Sequence, residues 1–229
     1  ILAADETAVR GARANRRFMH RAVRTAARAG IRQFLDIGTG IPTQPNLHQV
    51  VQEVAPECRV VYADNDPIVL RHAEALLRGS AEGATDYVHA DVRDPEKVLA
   101  SAGESLDLGR PVALSLVALT HYLSDAAGDD VHGLLKRYVD ALAPGSFVIL
   151  SQVTADLNPE AVGKAAALFA GSGTPFFPRP LTEFARFFEG LELLGPGVIP
   201  VTGWRPEPED VAAQAEGIVP VYAGVARKP

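Results

Sequence analysis

The stretch Phe34–Thr43 constrains the fold more than any other part of the sequence, because a short apolar run there ends in Asp36 and a Gly-x-Gly turn. A second apolar run ends in Asp64, 28 residues later. A strand, a glycine turn that lets a ligand approach the backbone, a helix and an acid at the tip of the next strand form the nucleoside-binding half of a Rossmann-like unit. The pattern therefore predicts a nucleoside cofactor.

Short β-rich runs alternate with helical periods along the rest of the chain, which is typical of an α/β fold with a mostly parallel sheet. Strands are predicted over residues 33–37, 59–63, 86–90, 111–117, 146–151, 191–194 and 217–227. Helices are predicted within residues 1–30, between 46 and 56, over 67–78, from 95, and over 130–142, 159–170 and 182–189. At 229 residues, a single domain is expected.

Composition narrows the partners and the compartment. The formal net charge of −6 argues against nucleic acid and anionic lipid, because nonspecific affinity for phosphate comes mostly from positive charge. Cys58 is the single cysteine, so no internal disulfide or cysteine metal cluster is expected, and the six histidines show no paired metal-ligand spacing. No run reaches the roughly 18 apolar residues of a membrane span, and no leader is recognised. These features predict a cytoplasmic protein without a metal; they do not indicate its oligomeric state.

One helical face near the start of the chain is strongly basic. It carries Arg10, Arg13, Arg17, Arg21, Arg24 and Arg28 at spacings of three and four, and residues 7–35 contain no Asp or Glu. We interpret this arginine stripe as the solvated face of an amphipathic helix. Binding of an anionic substrate or partner is the alternative interpretation.

The glycine turn discriminates between cofactors. A dinucleotide needs backbone N–H groups for its pyrophosphate, but Pro42 has no N–H to donate and Thr43 replaces the third glycine of the dinucleotide fingerprint. S-adenosylmethionine has no phosphate, and its methionine end needs close backbone approach and a nearby carboxylate. Gly38, Gly40 and Asp36 can supply both.

Further carboxylates extend this pattern along the expected edge of the sheet. Asp64 can accept hydrogen bonds from both ribose hydroxyls, Asp91 from the adenine amino group, and the Val92 N–H can meet a ring nitrogen. Because Asp36, Asp64 and Asp91 end three successive strands, all three should lie on the carboxyl edge of one sheet, where such folds bind ligands.

With these residues in place, the chain resembles class I S-adenosylmethionine-dependent methyltransferases, and more narrowly an actinomycete family of them with unassigned substrate. The matching stretches are residues 13–18, 34–43, 60–67, 90–95, 142–146 and 190–193. The resemblance implies a Rossmann-like sheet of seven mostly parallel strands, with helices on both faces and the last strand antiparallel. The expected cofactor-binding set is Asp36, Gly38, Thr39, Gly40, Asp64, Asn65, Asp91, Val92 and Ser115, with Asn15 and Arg16 from the N-terminal helix. Pro42 departs from the broader class.

Methyl transfer requires alignment of the nucleophile with the methyl group in a water-poor pocket, and some nucleophiles also require a base. His121, just past the fourth strand, is the candidate catalytic base; an ordinary loop histidine is an equal alternative, and Tyr122 is a weaker candidate. The loop 171–180, with Phe176, Phe177 and Arg179, is either a substrate-facing lid or a simple connector.

We therefore expect one methyltransferase domain over residues 1–229 that acts on a small molecule. Within it, residues 1–30 would form a helical cap, 31–151 the cofactor-binding core, and 152–229 the substrate-side helices and C-terminal strands. A regulatory or interaction module that binds S-adenosylmethionine or its demethylated product without turnover is the alternative. A nicotinamide-dependent reductase ranks third, since the chain has no Tyr-x-x-x-Lys pair.

Overall fold

The computed structural model describes residues 6–76, 79–215 and 217–229. Its strands are β1 (Gln33–Ile37), β2 (Arg59–Asp64), β3 (Ala84–His89), β4 (Ala113–Leu116), β5 (Phe147–Val153), β6 (Glu192–Leu193), β7 (Ile199–Pro200) and β8 (Val221–Arg227). Its helices are α1 (Glu6–Arg28), α2 (Leu47–Val54), α3 (Pro67–Leu76), α4 (Pro95–Ala102), α5 (Val131–Asp140), α6 (Pro159–Gly171), α7 (Leu181–Ala185) and α8 (Pro208–Ala215). The predicted end of the third helix, at residues 77 and 78, lies outside the described residues, as do residues 1–5 of the expected cap.

The strands form one mixed sheet with the order β3-β2-β1-β4-β5-β8-β6. The five strands from β3 to β5 are parallel, and β8 runs antiparallel to β5, as predicted. The described residues contain eight strands instead of seven, because the edge beyond β8 is split. Both β6 and β7 pair with β8, at Leu193↔Ala226 and Ile199↔Ala223, on either side of a turn.

Helices cover both faces of the sheet, as predicted. All five residues of β1 are buried, which is typical of a parallel strand covered on both sides. Leu35 belongs to a core that includes apolar side chains of α4 and α5, whereas its neighbour Phe34 belongs to a second core formed with α1 and α2. Alternate residues of one strand thus pack into different layers.

The C-terminal region differs from the prediction. The sequence indicated a Pro-rich connector followed by a strand from residue 217, but α8 forms over Pro208–Ala215 and β8 begins only at Val221. Pro208 begins this helix, where a missing N–H costs nothing, and Glu209 and Asp210 lie in its first turn, which favours negative charge. None of the described helices is both long and apolar enough to cross a bilayer.

Three members of the arginine stripe make internal ion pairs with this region. Asp210 binds Arg17 Nε at 2.7 Å and Arg21 Nη1 at 2.6 Å, and Glu207 binds Arg24 Nη1 at 2.7 Å. Arg21 is almost fully buried and also donates to the carbonyl oxygens of Trp204 and Val201. The interpretation of the stripe as a purely solvated face was therefore wrong for these three arginines, whose partners lie about 180–190 residues away.

Candidate functional site

The sheet topology brings the three predicted acids to one edge. Since β1, β2 and β3 are adjacent and parallel, Asp36 in β1 and Asp64 at the end of β2 lie near the same carboxyl edge. Asp91 follows β3 by two residues, and the N–H of the intervening Ala90 donates to the carbonyl of Asp64 at 3.1 Å. The edge thus presents a row of carboxylates.

The glycine turn after β1 is fastened to β2. Gly38 (φ 74°) donates its N–H to Ala63 O at 2.8 Å, and Gly40 (φ 64°) donates its N–H to Asp64 Oδ2 at 2.8 Å. A Cβ at Gly38 would meet the Leu119 side chain at 2.6 Å, whereas a Cβ at Gly40 would have no heavy atom within 4 Å. The backbone at Gly40 therefore borders space in which a ligand can approach it closely.

The carboxylates at the tips of β2 and β3 are held in place. Asp64 Oδ1 accepts the Asp66 N–H at 3.0 Å, in addition to its bond from Gly40. Asp91 accepts Asn65 Nδ2 at 2.7 Å and the Arg93 N–H at 2.9 Å. Burial raises the pKa of Asp91, but these hydrogen bonds and the Arg93 charge outweigh it and lower the pKa below its ordinary value. Asp91 is therefore an ionised acceptor at neutral pH.

Asp36 lies deeper than the other two acids. Burial raises its pKa to about 6, and the nearby Ser115 and Thr39 hydroxyls and the Arg16 charge only partly offset this effect. Ser115 is the register partner of Asp36 on β4, and its buried Oγ lies near the Asp36 carboxylate. The site thus places a titratable carboxylate and a hydroxyl side by side.

Helix α1 brings two more predicted residues to this edge. Arg16 donates from Nη2 to Pro45 O at 3.0 Å; burial lowers its pKa, and the nearby Asp36 carboxylate opposes that shift. Asn15, the residue before Arg16, is only 7% exposed, and its Oδ1 has no hydrogen-bond partner in the described part of the chain. Of these two side chains, Arg16 is close enough to Asp36 for the two charges to interact.

Beyond β4, at the same edge, lies a cavity of about 290 Å³. It is lined by Ala8, Gly11, Ala12, Asn15, Ala118, His121, Tyr122, Val153, Ala161, Val162, Ala165, Phe169, Phe176, Pro220 and Val221. No charged side chain occurs among these lining residues. We call this the side cavity; it is large enough for a compact organic molecule.

His121 and Tyr122 reach the side cavity from a 3₁₀ turn after β4. The turn is preceded by Ala118 at φ 58°, whose N–H donates to Ser151 Oγ at 2.8 Å. His121 is 4% exposed, and its Nδ1 has no hydrogen-bond partner among the described residues. Burial, with a smaller contribution from the Arg179 charge, lowers its pKa to about 3. The imidazole is therefore neutral at physiological pH, and one of its ring nitrogens is a hydrogen-bond acceptor.

The loop 171–180 contributes one predicted residue to the side cavity, Phe176, while Phe177 is absent from its lining. The lid interpretation, one of the two left open, would turn the charge of Arg179 toward the substrate, and the structure does not support that orientation. Its guanidinium is buried and donates to Thr120 O and Leu123 O, each at 2.7 Å, and to Glu183 Oε1 at 2.9 Å. These bonds direct the charge to the backbone around His121.

Sequence reasoning missed most of the cavity wall. Ala8, Gly11, Ala12 and Asn15 follow the i, i+3, i+4, i+7 spacing of one helical face, so they share a face of α1. That spacing of mostly small residues is the sequence signal for a helix face against which another group packs. Phe169 on α6 had no comparable signal.

Comparison with known proteins gives a consistent result. The sequence model of a family described as S-adenosyl methyltransferase matches residues 1–229. A DUF574 family protein from Streptomyces avermitilis has a crystal structure that is 47% identical, with a TM-score of 0.89, covering 95% of this chain and 83% of that chain. A Thermobifida fusca protein is 39% identical with a TM-score of 0.81, covering 95% and 81% respectively.

More distant structures share the fold. The N-methyltransferase NodS from Bradyrhizobium japonicum, solved with S-adenosyl-L-homocysteine, is 14% identical with a TM-score of 0.52, covering 93% of this chain and 87% of that chain. No curated protein matches the chain.

Proposed function

Because the chain belongs to the S-adenosyl methyltransferase family, and so transfers a methyl group from S-adenosylmethionine, we propose that its acceptor is a small molecule bound in the side cavity. The observation that carries this proposal is the position of that cavity. It lies at the carboxyl ends of β4 and β5, next to the row of acids on β1 to β3. Two neighbouring compartments at one sheet edge suit a donor and an acceptor that must meet.

We assign the row of acids to the cofactor. When bound, S-adenosylmethionine supplies a methyl group on a positively charged sulfonium. The donor and acceptor groups fit its parts: the open backbone at Gly40 and the carboxylate of Asp36 suit the methionine end, Asp64 the ribose, and Asp91 with Val92 the adenine. Gly38, Thr39, Asn65, Ser115, Asn15 and Arg16 complete the proposed set.

The residues around the side cavity set the conditions for transfer. Its walls are mostly apolar, which favours an organic acceptor over water, and α1 contributes Arg16 near Asp36 and Asn15 to the cavity lining. This supports the assignment of residues 31–151 to cofactor binding and of residues 1–30 and 152–229 to the enclosure of the acceptor. A charged nucleic acid or membrane surface has no matching cationic groups in this cavity lining. We also propose a cytoplasmic location, which the free, buried Cys58 thiol supports.

Calorimetric titration with S-adenosylhomocysteine tests the assignment of the cofactor site. Asp64→Ala removes an acceptor that can make two charge-assisted hydrogen bonds to the ribose, each contributing roughly 1.5–3 kcal/mol. The affinity of this variant for S-adenosylhomocysteine should therefore fall at least tenfold. Asp94→Asn is a suitable control, because Asp94 caps α4 and an asparagine can retain that cap.

Equal affinities for wild type and Asp64→Ala would contradict the cofactor assignment. A separate result would contradict the acceptor assignment: Ala165→Trp, which fills the side cavity, should abolish turnover while leaving S-adenosylhomocysteine affinity within about threefold of wild type. Turnover that survives this substitution would place the acceptor elsewhere.

A further inference from the structure

The side cavity has an aromatic wall. Phe169 and Phe176 stack with centroids 4.6 Å apart and an interplanar angle of 11°. Tyr122 meets Phe169 edge-on at 6.1 Å, and His121 meets Phe176 edge-on at 5.5 Å. Four rings in contact form a surface that favours a planar aromatic ligand through further stacked or edge contacts. A volume of about 290 Å³ limits that ligand to a compact ring system.

The same cavity disfavours a charged ligand. No lysine, arginine, aspartate or glutamate occurs in its lining as the structure describes it. Transfer of an ion from water into an apolar cavity without a charged partner costs far more free energy than the packing contacts contribute. The acceptor is therefore expected to enter in its neutral form.

Two residues that line the side cavity each have a buried polar atom without a hydrogen-bond partner in the part of the chain that the structure describes. Asn15 Oδ1 and His121 Nδ1 lack partners among the described residues, and both side chains are more than nine-tenths buried. The amide oxygen is an acceptor, and Nδ1 is also an acceptor when the neutral ring carries its proton on Nε2. Buried polar groups are normally paired, and an unmet one costs about 1–3 kcal/mol. A ligand that donates hydrogen bonds would therefore satisfy both atoms.

From these observations, and resting on the proposed function above, we infer that the acceptor is a neutral, planar aromatic compound with a free hydroxyl group, which is methylated on oxygen while His121 Nδ1 takes the hydroxyl proton. A neutral aromatic amine would not need a base for methylation, whereas a hydroxyl loses its proton as it reacts. The buried, neutral imidazole can thus act as the base for a hydroxyl acceptor, whereas an amine acceptor would not need one.

A lone pair on the hydroxyl oxygen forms the bond to the methyl carbon, and the pair of the breaking carbon–sulfur bond stays on sulfur. The hydroxyl proton moves to His121 Nδ1 and passes to solvent when the product leaves. A positive charge disappears from sulfur as one appears on the imidazole, so the neighbouring site gains no net charge. The transfer therefore offsets part of the penalty that burial places on a protonated His121.

Binding tests the inference without turnover. Calorimetry of the protein saturated with S-adenosylhomocysteine would compare 2-naphthol with 2-methoxynaphthalene, which has the same rings but no hydroxyl donor. Wild type should bind 2-naphthol at least tenfold more tightly. His121→Phe should reduce the preference to threefold or less, whereas the matched control His132→Phe, at an exposed histidine beside Glu189, should leave it unchanged.

Turnover then separates a hydrogen-bonding role from a proton-accepting role. With S-adenosylmethionine, mass spectrometry should detect methylated 2-naphthol and no methylated 2-naphthylamine or 2-naphthoate. His121→Gln keeps an acceptor but not a base, so it should retain the binding preference and lose at least a hundredfold in kcat. His121→Phe should lose both.

Three results would overturn the inference. They are equal binding of the naphthol and its ether by wild type, no binding of any naphthyl compound, and methylation of the amine or acid in preference to the hydroxyl. The wild-type comparison holds even where a variant does not fold. If S-adenosylhomocysteine binding depends on Asp64 in the same samples, only this inference fails; if it does not, the proposed cofactor site fails as well.

Discussion

At the scale of single residues, the buried carboxylate of Asp36 gives the fold a specific pH dependence. Its pKa is about 6 in the folded protein against an ordinary value of 3.8, because burial penalises the charged form. The folded state therefore holds this proton more tightly than the unfolded state. Ionisation of Asp36 lowers the stability of the fold as the pH rises from about 4 to 6, and the loss stays constant above that range.

We predict that Asp36→Asn increases the free energy of unfolding by about 2–3 kcal/mol at pH 8, since the neutral amide avoids the cost of a buried charge. The gain should shrink as the pH falls through about 6 and vanish near 4. Urea unfolding at a series of pH values measures it, with the exposed Asp94→Asn as the control. A gain that is constant with pH would show that Asp36 is not the titrating group. The same variant should bind S-adenosylhomocysteine more weakly.

At the scale of elements, the sequence predicted the parts that neighbouring residues determine. β1 was predicted to the residue, and the acids at the tips of β1 to β3 follow from consecutive strand–helix units, whose apolar runs and glycine turn are local. The side cavity could not be predicted in this way. Its wall combines α1, the turn after β4, α6 and the start of β8, which meet only after the chain has packed.

Arg179 is a second feature that the local sequence could not predict. The sequence left open whether its loop is a substrate-facing lid or a connector, and did not indicate that Arg179 is 4% exposed and binds the carbonyls of the turn that carries His121 and Tyr122. A Pro-rich loop contains no local pattern that distinguishes an outward arginine from an inward one. The direction of Arg179 is decided by the carbonyl oxygens of a distant turn, because buried carbonyl groups need donors.

We predict that Arg179→Met destabilises the protein by about 2–4 kcal/mol, because methionine retains much of the packing but removes the Arg179 hydrogen bonds to Thr120 O and Leu123 O and leaves Leu123 O without its donor. Because the turn after β4 would lose its support, kcat should fall more than the affinity for S-adenosylhomocysteine. Arg186→Met is the control, since Arg186 is exposed and only weakly paired with Glu189. Denaturant unfolding and steady-state kinetics measure the two effects. Control-like behaviour of Arg179→Met would mean that the turn holds its shape unaided.

At the scale of the whole molecule, the two ends of the chain are joined by a buried ion pair. Asp210 on α8 is 1% exposed and binds both Arg17 and Arg21 on α1. Burial lowers the pKa of Arg21, and the Asp210 carboxylate is the main group that opposes this shift. Because α1 also carries Asn15 and Arg16, the pair fixes the helix that lies over both proposed compartments.

We predict that Asp210→Ala destabilises the protein by about 3–5 kcal/mol, because it leaves the buried Arg21 charge without a partner. Glu207→Ala is the matched control: its carboxylate is 56% exposed and pairs with Arg24, so its loss should cost less than about 1 kcal/mol. Urea unfolding gives both values. Hydrogen exchange should show lost protection over α1 in Asp210→Ala alone, together with weaker binding of S-adenosylhomocysteine, since the helix that supplies Arg16 is no longer held. Equal stability and equal α1 protection in the two variants would mean that packing of Phe18 against Trp204, at 5.6 Å between ring centroids, suffices to hold α1 in place.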